Sequence, residues 1–462
     1  MMVNSFAIIG EVFPPAERGK YQGLLGGVFG LSSVGGPLLG GWITDNFTWR
    51  WIFYVNLPLG IVALIVLSGV LPKITQKVIN RHIDYLGAIF IIITLVPLLL
   101  ALVWAGSIYA WGSWQIIAAL SIAAVSLIAF IITEKRVRNP VLSLSLFNNK
   151  VFTTSVIATF LTAMGMFGAI IYIPVFAQGV IGVSATNSGL ILTPMMISLV
   201  ISSAISGQII TRTGKYKVLA IVGTAITVLG LYFFSWINVH TSNIQLVLHM
   251  AILGLGLGVT LPIFTVTVQS AFGKERLGEV TAGSQLFRSI GGTVGTAILG
   301  GIMNSRLTFE MQSLQNEPFI ALMQKINPAK AQQLDGSIIQ TVLNPDNQHR
   351  IQAILGQIPP EQRVVASNSF DAFLEAAKVA FTRAIDNVFL IGAVLMAAAL
   401  IVVFFLPEIP LRKSDRPVTE DVGITLEEEW GQADDENQPK VKSRFSRLDI
   451  DGNLDNRPHV ET

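Results

Sequence analysis

Arg288 stands about eight residues inside an apolar run, 280–303. A guanidinium at that depth in hydrocarbon is costly unless it is paired or reaches water. Gln285 lies one helical turn before it, and Gln269 sits in the preceding apolar run. Groups of this kind suit reversible binding of an ion or polar group inside a membrane. Asp45, at the end of the run 20–44, is a fourth candidate, with helix capping as its alternative role. Arg288 has an alternative too, because its long stem can snorkel the charge to an interface. Other chemistries find little support. The chain has no cysteine, which removes disulfides, thiol catalysis and cysteine-held metal. Its five histidines are scattered without an HExxH pattern, and Gly-Lys never occurs in a P-loop context. Gly254-x-Gly256-x-Gly258 lies inside an apolar run with no strand before it, so it is not a dinucleotide fingerprint. The sequence therefore predicts no catalytic residues, no metal and no cofactor.

The elements that must position these residues are membrane helices. Of 462 residues, 52% are hydrophobic and only 13% charged, about half the charged share of a soluble domain. Ten runs reach the ~20 apolar residues that a span requires: 20–44, 50–71, 83–105, 114–133, 151–177, 188–210, 217–236, 245–271, 280–303 and 384–407. Backbone in lipid has no water to bond, so each must be helical. Alternate loops carry 14 positive residues, from Arg18 and Lys20 to Lys274 and Arg276, whereas the other short loops hold only Arg50. The positive-inside rule places the basic set, and with it the C-terminus, in the cytoplasm. The net charge of +2 hides an acidic tail, since residues from Glu408 onward hold 14 of the 29 acidic side chains. Nucleic-acid binding is not the reading that this basic excess favours. Residues 304–383 read as an extracytoplasmic connection with helical stretches, and 408–462 as a disordered cytoplasmic tail.

Glycine is concentrated in 20–44, where Gly23, Gly36, Gly40 and Gly41 recur near one face and Pro37 bends the helix. These five residues resemble the fifth-helix antiporter motif of the major facilitator superfamily, G-x8-G-x3-G-P-x2-G-G, with Ser32 replacing one glycine. The stretch after it, Asp45 to Gly60 with Trp49, Arg50, Trp51, Asn56 and Pro58, resembles the fourteen-helix drug:proton antiporter branch. Gly207, Arg212, Gly214 and Lys215 are similar to the second-half gating loop G-x3-D-R-x-G-R/K, although Thr211 stands where that motif has aspartate. A second glycine-rich run, 280–303, takes the corresponding place in the second half, as internally repeated transporters do. Met164, Met166, Phe167 and Tyr172 on 151–177 suit either an accommodating apolar pocket or plain packing.

The resemblance implies an all-α polytopic membrane protein of major facilitator fold. Its first bundle is incomplete, two extra helices lie at the centre, and the second six-helix bundle is complete. The domains expected are 1–82 (the end of helix 4 with helices 5 and 6), 83–133 (the central pair), 134–150 (a cytoplasmic linker), 151–407 (the second bundle) and 408–462 (the tail). Helices 1–3 of that family are not matched. The resemblance further implies secondary efflux of small lipophilic or cationic drugs in exchange for protons, by a monomer in the plasma membrane. A non-transporting remnant and a substrate:ion uptake permease are the alternatives.

Overall fold

A computed structural model of the chain describes residues 5–6, 8–10, 13, 15–48, 50–70, 84–105, 108–137, 140–183, 191–273, 276–315, 317–321, 339, 342–343, 345–355 and 360–409. The chain divides into two units, Met1–Lys413 and Ser414–Thr462, and the second lies outside the described residues. So does nearly all of the segment expected to be a disordered tail.

The described residues are helical throughout, with one isolated bridge, Ala105–Tyr109, and no strand. Helix α1 spans Pro15–Asn46, and a short turn Trp51–Tyr54 leads into α2, Asn56–Val70. Then come α3 (Tyr85–Trp104), α4 (Trp114–Arg136), α5 (Lys150–Phe176), α6 (Thr193–Thr213) and α7 (Lys217–Phe234). The series ends with α8 (Asn243–Ser270), α9 (Leu277–Leu314), α10 (Pro345–Leu355) and α11 (Pro360–Phe404). Among the described residues, nine helices are long and apolar enough to cross a membrane.

Local chemistry sets the helix ends. Asp84 caps α3 by accepting the Gly87 N–H at 2.8 Å. Ser242 and Gln245 form a reciprocal capping box on α8. Gly214 ends α6 in the left-handed region (φ 67°), where it costs a glycine little, and its N–H reaches Ile210 O at 2.8 Å. Pro97, Pro174 and Pro262 lie within α3, α5 and α8. Each removes an intrahelical donor, and after Pro174 the chain continues as a π turn, Ala177–Ile181.

Helices α5 to α9 and α11 pack as one six-helix body, with α1 seated against α6 and α8. The pair α3–α4 forms a hairpin beside α9, tied by Ser126 Oγ to Phe90 O at 2.9 Å. Burial follows this order. The span ending in the π turn, Lys150–Ile181, is 67% buried in its apolar window, whereas the span that includes α2 is 0% buried. Within 304–383 the described residues are largely helical, extending α9 and α11. α9 is 38 residues long and α11 is 45, so at ~1.5 Å per residue both exceed a ~30 Å bilayer core. Phe319, just after α9, is stacked on Phe373 of α11 at 5.3 Å and packed against Phe370 at 5.1 Å, continuing the apolar core of the six-helix body.

Candidate functional site

Glycine brings α9 against α5. A Cβ on Gly295 would lie 2.5 Å from the Met164 Cα, one on Gly291 would run into the Phe160 carbonyl, and Gly168 on α5 faces Leu299 in the same way. The two helices keep one offset in register at all three points, so they run parallel and in close contact. That approach aims Arg288 across the interface. Its Nη2 donates to Leu261 O and to Thr265 Oγ1, both at 3.4 Å, on α8. Between α5, α8 and α9 lies a water-sized cavity of about 10 Å3, lined by Thr159, Thr162, Ala163, Met166, Leu261, Phe264 and Arg288.

The two threonines are unusual. A threonine in a membrane helix ordinarily returns its hydroxyl to the carbonyl one turn back. Thr224, Thr227 and Thr260 do so here, at 2.7, 2.9 and 3.2 Å. Thr159 and Thr162 are buried, yet their hydroxyls have no protein partner, and neither does Ser155 one turn before Thr159 on α5. An unmet buried hydroxyl costs about 1–3 kcal/mol, which marks this face as built for something other than packing. No carboxylate lines the cavity. Charged residues elsewhere on the three walls are engaged or distant in sequence: Glu279 bonds Arg276 at 3.1 Å and the Ser143 N–H at 3.2 Å, and Lys150 opens α5. Among the described residues no three His, Asp or Glu side chains converge on a metal-sized site.

Of the other residues singled out by sequence, Gln269 is not at this cavity. It is fully buried where α1 meets α8 and α9. Its Oε1 accepts from Gln22 Nε2 at 2.8 Å, and its Nε2 donates to Phe6 O and Thr281 Oγ1, both at 3.0 Å. Arg18, 2% exposed, adds Nη1 to Gln269 O at 3.4 Å and Nε to Phe13 O at 3.0 Å. Arg18 is thus a buried tie rather than a solvated loop charge, and Gln22 was missed altogether. Gln285 is half-buried on α9. The side chain of Asp45 lies outside the described residues, as do those of Pro37 and Gly41.

The glycine motif splits in two. α1 and α6 run antiparallel, with Gly19 beside Gly207, Gly23 beside Ser203 and Gly27 beside Val200. A Cβ on Gly23 would lie 2.7 Å from Ser203 O. A Cβ added at Gly36 or Gly40, expected on the same packing face, would meet nothing within 4 Å. In the second-half loop, Gly207 is a contact point and Gly214 the helix cap, while Arg212 and Lys215 are half-buried or exposed around them. Tyr216 locks this loop to the end of α11. Its hydroxyl donates to Pro407 O at 2.7 Å and accepts the Ile409 N–H at 2.9 Å. Burial pushes that phenol above its ordinary range, with the Ile409 bond opposing and Glu408 assisting.

One acid escaped the sequence reading. Asp386 sits two residues into the run 384–407, where it reads as a boundary residue. The helix in fact begins at Pro360. Asp386 is half-buried and its Oδ1 has no hydrogen-bond partner. Arg383, one turn away, pairs instead with Glu310 at 3.5 Å.

Long apolar helices around a small polar, cationic cavity mark a multi-pass membrane protein. Residues 1–296 match the Major Facilitator Superfamily, and the chain belongs to it. It is 37% identical over 411 residues to the multidrug transporter protein MdtP of Bacillus subtilis, covering 89% of this chain and 74% of that protein. It is 32% identical to multidrug resistance protein 3 of the same species, covering 87% and 73%. An uncharacterized MFS-type transporter of Mycobacterium tuberculosis is 35% identical over 74% of this chain, which spans about half of that relative, 50%.

Proposed function

We propose that the chain carries out secondary efflux of small lipophilic drugs from the cytoplasm, driven by inward proton movement. The carrying observation is the cavity between α5, α8 and α9, where Arg288 and two unpartnered hydroxyls meet Met166, Leu261 and Phe264. A few polar groups set in an apolar lining suit varied amphiphilic ligands. The names of the two Bacillus relatives support the same reading. Transport would follow from rocking of the six-helix body against the first-half helices around this midplane site. The α1–α6 glycine contact and the Gln269 cluster would close the cytoplasmic side between strokes. Within this chain we assign proton binding to Asp386, the acid in a long apolar helix that lacks a hydrogen-bond donor. The protein would act as a monomer in the cell membrane, with basic loops and C-terminus in the cytoplasm. Residues 1–82, 83–133 and 151–407 would be the partial first bundle, the central pair and the second bundle, with 134–150 as linker.

The test is efflux of the neutral lipophilic dye Nile red from cells expressing the chain, with and without a proton uncoupler. Uncoupler-sensitive efflux above that of empty cells is the expected result. Efflux that equals the empty-cell rate overturns the transport reading, and uncoupler-resistant efflux overturns proton coupling.

A further inference from the structure

We propose that the cavity between α5, α8 and α9 takes the carboxylate of an acidic amphiphile, with Arg288 as its cationic partner and Thr159 and Thr162 as hydroxyl donors. This rests on the cavity being the substrate site, and it adds the charge of the substrate group that docks there. Three observations carry it. First, the lining holds one cation and no acid, so a cationic headgroup would meet only repulsion on this wall. Second, Arg288 has no carboxylate partner, and its bonds to Leu261 O and Thr265 Oγ1 are long and leave from a single Nη2. A guanidinium presents five N–H donors, and a carboxylate matches two of them side by side. An uncompensated guanidinium enclosed by helices is costly, and an arriving anion relieves that cost. Third, Thr159 and Thr162 are 2% and 3% exposed and forgo the bond to their own helix that neighbouring threonines make. They lie one turn apart on the face of α5 that looks into the cavity, and each hydroxyl can donate to an oxygen held by Arg288. The acyl or ring portion would extend out of this water-sized space, past Met166, Leu261 and Phe264.

The test uses binding rather than transport, so that it fails separately from the efflux reading. The purified full chain in lipid nanodiscs is titrated with three fluorescent probes of one shape: 1-pyrenebutyric acid, its methyl ester and 1-pyrenebutylamine. Empty nanodiscs supply the partition background. The acid is expected to bind tightest, and Arg288→Gln to weaken it by about ten- to a hundredfold, the span of a charge-assisted bond pair, with little change for the ester. Arg288→Lys should recover part of the loss. Thr159→Val and Thr162→Val remove hydroxyls that bond nothing in the fold, so they keep the protein folded. Each is expected to weaken the acid by about two- to tenfold. Acetate at tens of millimolar separates a free small anion from an amphiphile: failure to displace the acid supports the proposal. Displacement by acetate overturns it in favour of a small-anion site. Equal affinities for acid, ester and amine, or an acid affinity indifferent to Arg288→Gln and both valines, also overturn it.

Discussion

Two alanines placed thirteen residues apart in one motif should act in opposite directions. In Gly23→Ala the new Cβ would sit 2.7 Å from Ser203 O and 3.2 Å from Ser203 C, against an ordinary contact of 3.4 Å or more. Both atoms are backbone, so no side chain can swing aside, and α1 and α6 must part by about 0.7 Å at that point. Overpacking of this size costs about 1–3 kcal/mol. In Gly36→Ala the Cβ meets nothing within 4 Å, and alanine is the better helix former by about 0.5–1 kcal/mol. The variants should therefore differ by about 1.5–4 kcal/mol, with wild type between them. Reversible unfolding in mixed detergent micelles, read by tryptophan fluorescence, measures the difference. Equal stabilities, or a Gly36→Ala protein less stable than Gly23→Ala, would refute the register drawn between α1 and α6.

Three further outcomes follow from other contacts. Tyr216→Phe removes one donor and one acceptor between the α6–α7 loop and the end of α11, and should cost about 1–3 kcal/mol in the same unfolding assay. The raised phenol pKa means the folded state favours the protonated form, so its stabilisation is complete below the unfolded value near 10 and is lost as pH rises above it. Tyr216→Phe should abolish that alkaline loss, which a pH series from 8 to 11.5 checks. Gln269→Leu strands the Gln22 amide and the Phe6 carbonyl, and should destabilise by about 2–4 kcal/mol, while Gln22→Leu together with Gln269→Leu should cost less than the sum of the two single changes. Asp386→Asn should keep Nile red counterflow across proteoliposomes yet lose uphill movement driven by a pH gradient. Retention of uphill movement would remove Asp386 from the coupling path.

The spans were legible because apolar length alone sets them. Arg288 was legible because a charge within such a run has few structural excuses. The hydroxyls of Thr159 and Thr162 were not, since a helical threonine is silent in sequence when a bond to its own helix is the default. Gln269 was legible as costly but not as a tie, because its Gln22 partner lies 247 positions away and no periodicity within one helix reports a contact between helices. Gly36 and Gly40 were legible as a small-residue face, but spacing within one helix does not report what lies against that face. Asp386 was hidden by a boundary drawn from hydropathy, which stops where polar residues begin, whereas the helix itself runs on for another six turns toward Pro360.

The parallel seam between α5 and α9 has a thermodynamic consequence. Glycine holds the two helices at one offset from Phe160–Gly291 through Met164–Gly295 to Gly168–Leu299, so they tilt as a single rail. Arg288 and the two threonines ride on that rail together and keep the same spacing whichever side of the membrane they face. A wall that kept equal affinity on both faces would move nothing uphill by itself. Under the proposed proton coupling, the bias would enter where the rail meets helices that do not travel with it, through the protonation state of a group such as Asp386.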